Sequence, residues 1–245
     1  MQKQQLAKSF ENIGEEYDRF RPGFPDAAAA EILPSRVSTV LDLGAGTGKF
    51  TELLFTRADR VIAVEPSAAM LDVLRAKLPD TEAIVAGAES IPLPDLSVDA
   101  VTVAQAFHWF DRDPACAEIA RVLVPGGTLG LLWNHSDPTC AWDRACHRVA
   151  HPAVAEKDAT TESAAEDLPG FTFDRRAEIA WSESITRADY IARWLTVSSF
   201  LVADEETRAG MVAGIEEILD TDPQTAGQPR FELPMLTEVF VYRAV

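Results

Sequence analysis

The sequence predicts an α/β fold: a seven-stranded, mostly parallel sheet with helices on both faces, an antiparallel last strand and a helical cap. Three observations predict it. Short apolar runs alternate with helical patterns from residue 39 to residue 133, as in parallel strands joined by crossover helices. Runs such as Val101-Thr-Val-Ala are continuously apolar, as strands buried on both faces are. The first run ends in Gly44-Ala-Gly-Thr-Gly48 and the second, Val61-Ile-Ala-Val-Glu65, in a carboxylate.

The elements follow in order. Residues 5–33 read as helical, broken at Arg21-Pro-Gly-Phe-Pro25, with Pro25 and Asp26 suited to a first helical turn. Strand 1 is Thr39–Leu43, and a helix over about 48–57 uses Phe50, Leu53 and Leu54 as its apolar face. Arg60–Glu65 is strand 2, and Ser67 is placed to cap a helix that turns Met70, Leu71, Leu74 and Leu78 inward. Glu82–Ala86 is strand 3; the prolines of Ile91-Pro-Leu-Pro-Asp95 interrupt either kind of element. Asp99–Ala104 is strand 4, Asp113–Val122 a helix stopped by Pro125-Gly-Gly127, and Thr128–Trp133 strand 5. Residues 137–151 read as helical, 157–170 as a polar loop and Phe171–Trp181 as strand 6. Thr186-x-x-Asp189 resembles a capping box for a helix carrying Tyr190, Ile191, Trp194, Leu195 and Val197. A further helix covers Asp204–Asp220, and Glu238–Arg243 is the last strand. That strand arrives from a turn rather than a crossover helix, so it pairs antiparallel.

Composition narrows the class. At 245 residues with 47% hydrophobic content and mean hydropathy of −0.03, the chain can build a full core. It reads as one domain, with a helical cap at 1–35, a cofactor-binding core at 36–136, and the remaining strands with acceptor-pocket and cap helices at 137–245. No apolar run approaches the ~20 residues of a membrane helix, and the polar start lacks an apolar signal region. The cysteines at 116, 140 and 146 lack CxxC spacing, which points to a reducing cytoplasm and away from disulfides or zinc. With 39 acidic and 22 basic residues, the net charge is −17 and no basic cluster is present. Nucleic acid and membrane partners are not expected; the chain is expected to be a monomer or homodimer.

Three cofactor classes compete for the glycine turn. The phosphate loop of nucleotide triphosphatases needs Gly-x-x-x-x-Gly-Lys-[Ser/Thr], but position 43 is Leu and position 50 is Phe. The dinucleotide fingerprint Gly-x-Gly-x-x-Gly would place its third glycine at Lys49. The third pattern, Asp-x-Gly-x-Gly-x-Gly, runs from Asp42 to Gly48 and resembles motif I of the class I S-adenosylmethionine (SAM) methyltransferases. A turn that needs glycine for geometry alone is the plain alternative. Glu65 follows Gly48 by 17 residues, a spacing that suits an acceptor for ribose hydroxyls.

In an open parallel sheet, ligands sit outside the carboxyl ends of the strands. There the sequence gathers Gly44–Gly48, Glu65-Pro-Ser67, Gly87-Ala-Glu89, Gln105-Ala-Phe-His-Trp-Phe-Asp111 and Asn134-His-Ser136. The runs Val40-Leu-Asp-Leu-Gly-Ala-Gly-Thr-Gly48, Val64-Glu-Pro-Ser67, Ala88-Glu-Ser-Ile-Pro-Leu-Pro-Asp95 and Leu123-Val-Pro-Gly-Gly-Thr128 resemble a Rossmann-like class I SAM-dependent methyltransferase of the small-molecule type over about residues 10–135. The Gln105–Asp111 stretch is similar to the trans-aconitate methyltransferase-like branch.

The resemblance implies roles. Gly44, Ala45, Gly46 and Gly48, with Asp42, approach the methionine end of the cofactor, and Glu65 accepts both ribose hydroxyls. Pro66 and Met70 pack on adenine, with Ser67 beside them, and the backbone at Gly87 and Ala88 meets the adenine edge. Gln105, Ala106 and Phe107 lie near the sulfonium. Tyr17 and Arg21 belong to an N-terminal cap, with Arg21 clamping the methionine carboxylate. The family often has Asp where this chain has Gly87, which leaves adenine recognition to backbone groups or to Glu89.

His108 is the candidate catalytic base, or a residue that shapes the pocket; it joins Trp109 and Asn134 as candidate acceptor contacts. His147 and His151 are four apart, but Arg148 stands where a metalloprotease has Glu, so no metal is expected. Trp142, Trp181, Trp194 and Tyr190 suit core and cap packing. A carboxylate or another oxygen is the expected acceptor atom, with Arg187 and Arg193 available to hold a carboxylate. An NAD(P)-dependent oxidoreductase and a SAM-binding protein without methyl transfer are the alternatives.

Overall fold

The computed structural model describes residues 18–151 and 167–245. Tyr17, most of the expected N-terminal cap helix and most of the 157–170 loop lie outside them. Residues 18–20 are helical. The helices are α1 (Asp26–Ile32), α2 (Thr51–Leu54), α3 (Ala68–Lys77), α4 (Arg112–Val122), α5 (Ala141–Ala150), α6 (Arg187–Leu195), α7 (Ser198–Val202) and α8 (Glu205–Thr221). The strands are β1 (Val37–Leu43), β2 (Ala58–Glu65), β3 (Glu82–Val85), β4 (Val98–Ala104), β5 (Leu123–Ser136), β6 (Phe171–Thr186) and β7 (Arg230–Ala244). They form one sheet in the order β3-β2-β1-β4-β5-β7-β6.

The β1–β2, β1–β4, β2–β3 and β4–β5 pairs are parallel. Side-chain bonds set the direction of β7. Thr237 donates to Asn134 at 2.6 Å and Arg243 donates to Thr128 at 2.7 Å, so β7 descends as β5 ascends. On its other side, Ser182 meets Glu232 and Arg176 meets Glu238. β7 therefore lies antiparallel between two strands of the opposite sense, as the sequence predicts for the last strand.

The period-2 alternation of a strand puts neighbouring residues on opposite faces, and here both faces are buried. Leu41, Val101, Leu131 and Tyr242 pack on one side with Cys116, Ile119 and Val122 of α4. Val40, Ala100, Leu132 and Val241 pack on the other with Ala28, Ala29 and Ile32 of α1. The approach of α1 is close. A Cβ on Gly130 would lie 2.6 Å from two side-chain carbons of Ile32.

The described residues divide into two compact units. One holds residues 23–134, 167–179 and 237–245 and contains both of these faces. The other holds 18–22, 135–151 and 180–236. Its core is aromatic: Trp142, Tyr190, Trp194, Phe200 and Phe231 pack with Met211, Ile215 and Leu219 of α8. α6 begins as expected, with Thr186 Oγ1 accepting the Asp189 amide at 3.0 Å, and Asp204 caps α8 in the same way. The packing role expected for Trp142, Tyr190 and Trp194 is the one they have.

Four expectations need correction. The helix over 48–57 holds only from Thr51 to Leu54. The chain must then turn so that Arg57 O can accept the Val37 amide and start β2 at Ala58. Pro125–Gly127 does not precede strand 5 but lies inside it. Val98 pairs with Leu123 while Ala100 pairs with Thr128, so the extra residues form a bulge. β6 and β7 are longer than expected: β6 continues through Ser182–Thr186 to the buried Ile185, and β7 begins at Arg230 with an alternating run that buries Phe231, Leu233 and Met235. The short helix α7 has no periodic signal in Ser198-Ser-Phe-Leu-Val202.

Replacing Gly130 with Ala should destabilise the fold by about 1–3 kcal/mol through overpacking against Ile32, measured by urea denaturation. In an Ile32→Ala background the same change should cost little; equal costs in both backgrounds would mean that α1 does not press on β5 there.

Candidate active site

Five of the expected segments are brought together at the carboxyl ends of β1 to β5. The glycine turn follows β1, and all three glycines have positive φ, at 73°, 55° and 85°. Two are fixed by packing as well. A Cβ on Gly44 would lie 2.6 Å from the Ala106 Cβ, and one on Gly48 would lie 2.9 Å from Leu74 Cγ. Gly46 differs: the nearest atom to its Cβ position is Met70 Sδ at 3.8 Å.

The backbone amides of this turn are engaged internally. Gly44 and Ala45 donate to Val64 O at 2.8 and 3.2 Å, and Gly48 donates to Ala45 O at 3.0 Å. Gly46 donates to Glu65 Oε2 at 3.1 Å. Ser67 N donates to Glu65 Oε1 at 2.9 Å, and Ser67 Oγ accepts the Met70 amide as the cap of α3. Glu65 is 8% exposed, and burial pushes its pKa up against the lowering effect of these two amides.

Asp42 is placed beneath the turn rather than in it. It is 1% exposed, with Oδ2 accepting Thr51 Oγ1 at 2.6 Å and Oδ1 accepting Thr102 Oγ1 at 2.9 Å. The carboxylate thus braces β1 against β4 and α2. Desolvation raises its pKa to about 6, with the two hydroxyls pulling the other way.

Beyond β3, Ala88 is buried and Glu89 Oε1 accepts the Asp111 amide at 2.9 Å, where α4 has no side-chain cap of its own. Glu89 Oε2 lies 3.1 Å from the place where Gly87 would carry a Cβ. A side chain at position 87 would therefore require the end of the Glu89 side chain to give by a few tenths of an ångström. Pro66 is exposed.

Gln105 follows β4 with φ 56°, a conformation that costs energy for a residue with a Cβ. Its amide donates to Leu132 O and its side chain to Asn134 O at 3.2 Å. Phe107–Trp109 then makes one 3₁₀ turn, with Phe107 edge-on to Phe110. His108 Nδ1 accepts Trp133 Nε1 at 3.4 Å, and its ring stands 4.8 Å from that of Trp109. The indole can only donate, so this bond puts the proton of a neutral His108 on Nε2. Asn134 is occupied on both sides of its amide, donating to Gly23 O at 2.8 Å and accepting from Thr237 at 2.6 Å.

Other expected residues are found in the second unit. Arg21 donates to Thr196 O at 3.0 Å. Arg193 makes two 2.8 Å bonds to Glu183 and one to Phe20 O, while Arg187 pairs with Asp220. His147 Nε2 meets Ser136 Oγ at 2.6 Å. Among the described residues no three His, Cys, Asp or Glu side chains converge to hold a metal, and no helix is long and apolar enough to cross a membrane. All three cysteines are buried, with thiol pKa values pushed up to about 11 or 12. Sequence reasoning missed Thr51, Thr102 and Trp133. Buried hydroxyls or an indole near the ends of apolar runs are the available signal.

Residues 41–131 match the family described as methyltransferase domain. The chain is 39% identical over 234 residues to an uncharacterized methyltransferase of Mycobacterium tuberculosis, covering 95% of this chain and 94% of the relative. It superposes with TM-score 0.72 on a structure from Anaeromyxobacter dehalogenans described as a type II methyltransferase, at 28% identity and over 92% and 97% of the two chains. The fold is shared, at TM-score 0.51 and 15% identity over 90% and 75%, with the geranyl diphosphate C-methyltransferase of Streptomyces coelicolor, whose structure contains S-adenosyl-L-homocysteine. The chain belongs to the SAM-dependent methyltransferases.

The raised pKa of Asp42 makes stability depend on pH. Its native value of about 6 lies above the ordinary 3.8, so the folded chain takes up a proton before the unfolded chain does. Stability from this group should therefore rise as pH falls from 6 to 4, by on the order of 2–3 kcal/mol. Asp42→Asn should remove that rise from the profile measured by denaturant titration at each pH. Superimposable profiles would place the titration elsewhere.

Proposed function

We propose that the chain transfers the methyl group of SAM to an oxygen of a small-molecule acceptor, and that Glu65 is the ribose-binding carboxylate. The observation that carries this reading is the Glu65 geometry. Each oxygen accepts one backbone amide, from Gly46 or Ser67. A carboxylate has about four acceptor sites, so one on each oxygen remains for a pair of vicinal hydroxyls. The residues fit an adenosyl cofactor for a second reason. The turn engages the amides of Gly44, Ala45, Gly46 and Gly48 within the protein, whereas a pyrophosphate site needs such amides aimed at the ligand. This disfavours the nicotinamide alternative.

In this reading Met70 and Pro66 flank the adenine, and the Gly87–Ala88 backbone meets its edge. Gln105–Phe107 lies toward the reacting sulfur. Asp42, Glu89 and Asn134 act by positioning these segments rather than by touching the cofactor. SAM brings an activated methyl group, so the protein's contribution is mainly to orient the acceptor in line. Arg187 and Arg193 are committed to Asp220 and Glu183, which moves acceptor recognition to the 105–109 segment. A neutral His108 with its proton on Nε2 is suited to donate to an anionic oxygen. That favours a carboxylate acceptor, as in the trans-aconitate-like branch, over an acceptor that must lose a proton. The net charge of −17 and three free thiols fit a cytoplasmic enzyme that does not act on nucleic acid.

Calorimetry should show S-adenosylhomocysteine binding to the parent chain. Glu65→Ala should weaken it by about 1.5–3 kcal/mol, roughly 10- to 100-fold; equal affinity would remove Glu65 from the ribose site. A turnover panel of small carboxylic acids and phenols, followed by release of the demethylated cofactor, should favour the acids. With an acid that turns over, His108→Gln should raise acceptor KM and leave kcat within a few-fold. A fall in kcat of roughly 10²–10⁴ would instead make His108 a base.

A further inference from the structure

His108 rides on a turn that is fixed at both ends. Trp109 N donates to Ala106 O at 2.9 Å and Phe110 N to Phe107 O at 3.1 Å. Phe107 is buried, and Ala106 lies against Gly44. The indole that meets the imidazole is fixed as well. Trp133 is 1% exposed and stands edge-on to Phe240, with ring centroids 5.9 Å apart. Its N–H is out of reach of bulk water, and its partner is His108 Nδ1 at 3.4 Å.

Which nitrogen of an imidazole carries the proton is set by the bond that the other makes. An imidazolium, or the tautomer with its proton on Nδ1, would here point one N–H at another and strand a buried donor. Stranding such a donor costs more than the bond itself contributes. We propose that Trp133 is a positioning residue that sets the acceptor class: it holds His108 neutral with Nε2 protonated, and so debars it from acting as a general base. A base would need Nε2 bare. Acceptors that arrive ionised, carboxylic acids above all, suit a site held this way; phenols and alcohols that must give up a proton do not. Trp109, the ring beside His108 on the same turn, does not ionise and leaves this selection to Trp133. The inference rests on the reading of His108 as an acceptor contact, but the state of its ring is measured apart from turnover.

Nitrogen NMR of the chain labelled in its four histidines tests this, with the His108 signals assigned by their loss in His108→Gln. In the parent, Nδ1 should give the signal of a bare ring nitrogen and Nε2 that of a protonated one. As pH is lowered, Trp133→Phe should take up the second proton about one to two pH units higher than the parent, because no donor is stranded. Benzothienylalanine at position 133, which keeps the fused rings and puts sulfur in place of the N–H, should do the same with the packing preserved. In turnover, the preference for acids over phenols, as a ratio of kcat/KM, should fall about tenfold in both variants. A parent His108 with its proton on Nδ1, or equal proton uptake in all three chains, overturns the proposal. A parent that prefers phenols although its Nε2 carries the proton would overturn the acceptor reading, and with it the selection, but not the hold of Trp133 on the ring.

Discussion

A carboxylate held out of water beneath a glycine turn is the constraint on which the rest of the site depends. Asp42 sits near the end of β1 and takes one hydroxyl from β4 and one from α2. Taking a charge out of water is costly; the two hydroxyl bonds offset part of that cost, and burial still raises the Asp42 pKa to about 6. The two bonds also tie the three elements that converge below the turn. Directly above, Gly44 lies against Ala106 so closely that no side chain fits between them. The turn after β1 and the segment after β4 therefore form one packed piece, and Gln105 is held in a strained conformation beside it.

Within that frame the turn directs its own amides to Val64, Glu65 and Ala45, and offers little to a phosphate. What it offers is shape, together with a carboxylate aligned by Gly46 and Ser67. A hydroxyl-rich ligand suits such a site better than a pyrophosphate. The same internal pairing recurs in the second unit, where Arg193 and Arg187 bind Glu183 and Asp220 and are not left to recognise an anion. Arg121 does similar work at the 91–95 loop, bonding Glu118, Asp95 and the carbonyls of Leu93 and Ile91.

Much of this is legible in the sequence because it is local. Continuous apolar runs locate the strands, and Ser67 and Thr186 announce their helices through caps that depend on residues three apart. Glu65 stands out because spacing after a glycine turn is itself a geometric quantity. What the sequence hides is long-range. Nothing in Asp42 shows that Thr51 and Thr102 will bond it, so the glycine motif alone does not reveal that it also braces three elements. Trp133 and His108 are joined only because β5 lies beside β4. Pro125–Gly127 reads as a stop, since a bulge that adds residues to one strand is visible only against its partner. Arg193 looks available for an acceptor until Glu183 is seen beside it.

Recognition of an adenosyl ribose by this turn and Glu65, without a phosphate cradle, is the central claim. Isothermal titration of the unmodified chain with S-adenosylhomocysteine and, separately, with NAD tests it most directly. The predicted result is saturable one-site binding of S-adenosylhomocysteine and no measurable heat with NAD; saturable binding of NAD with none of S-adenosylhomocysteine would contradict it.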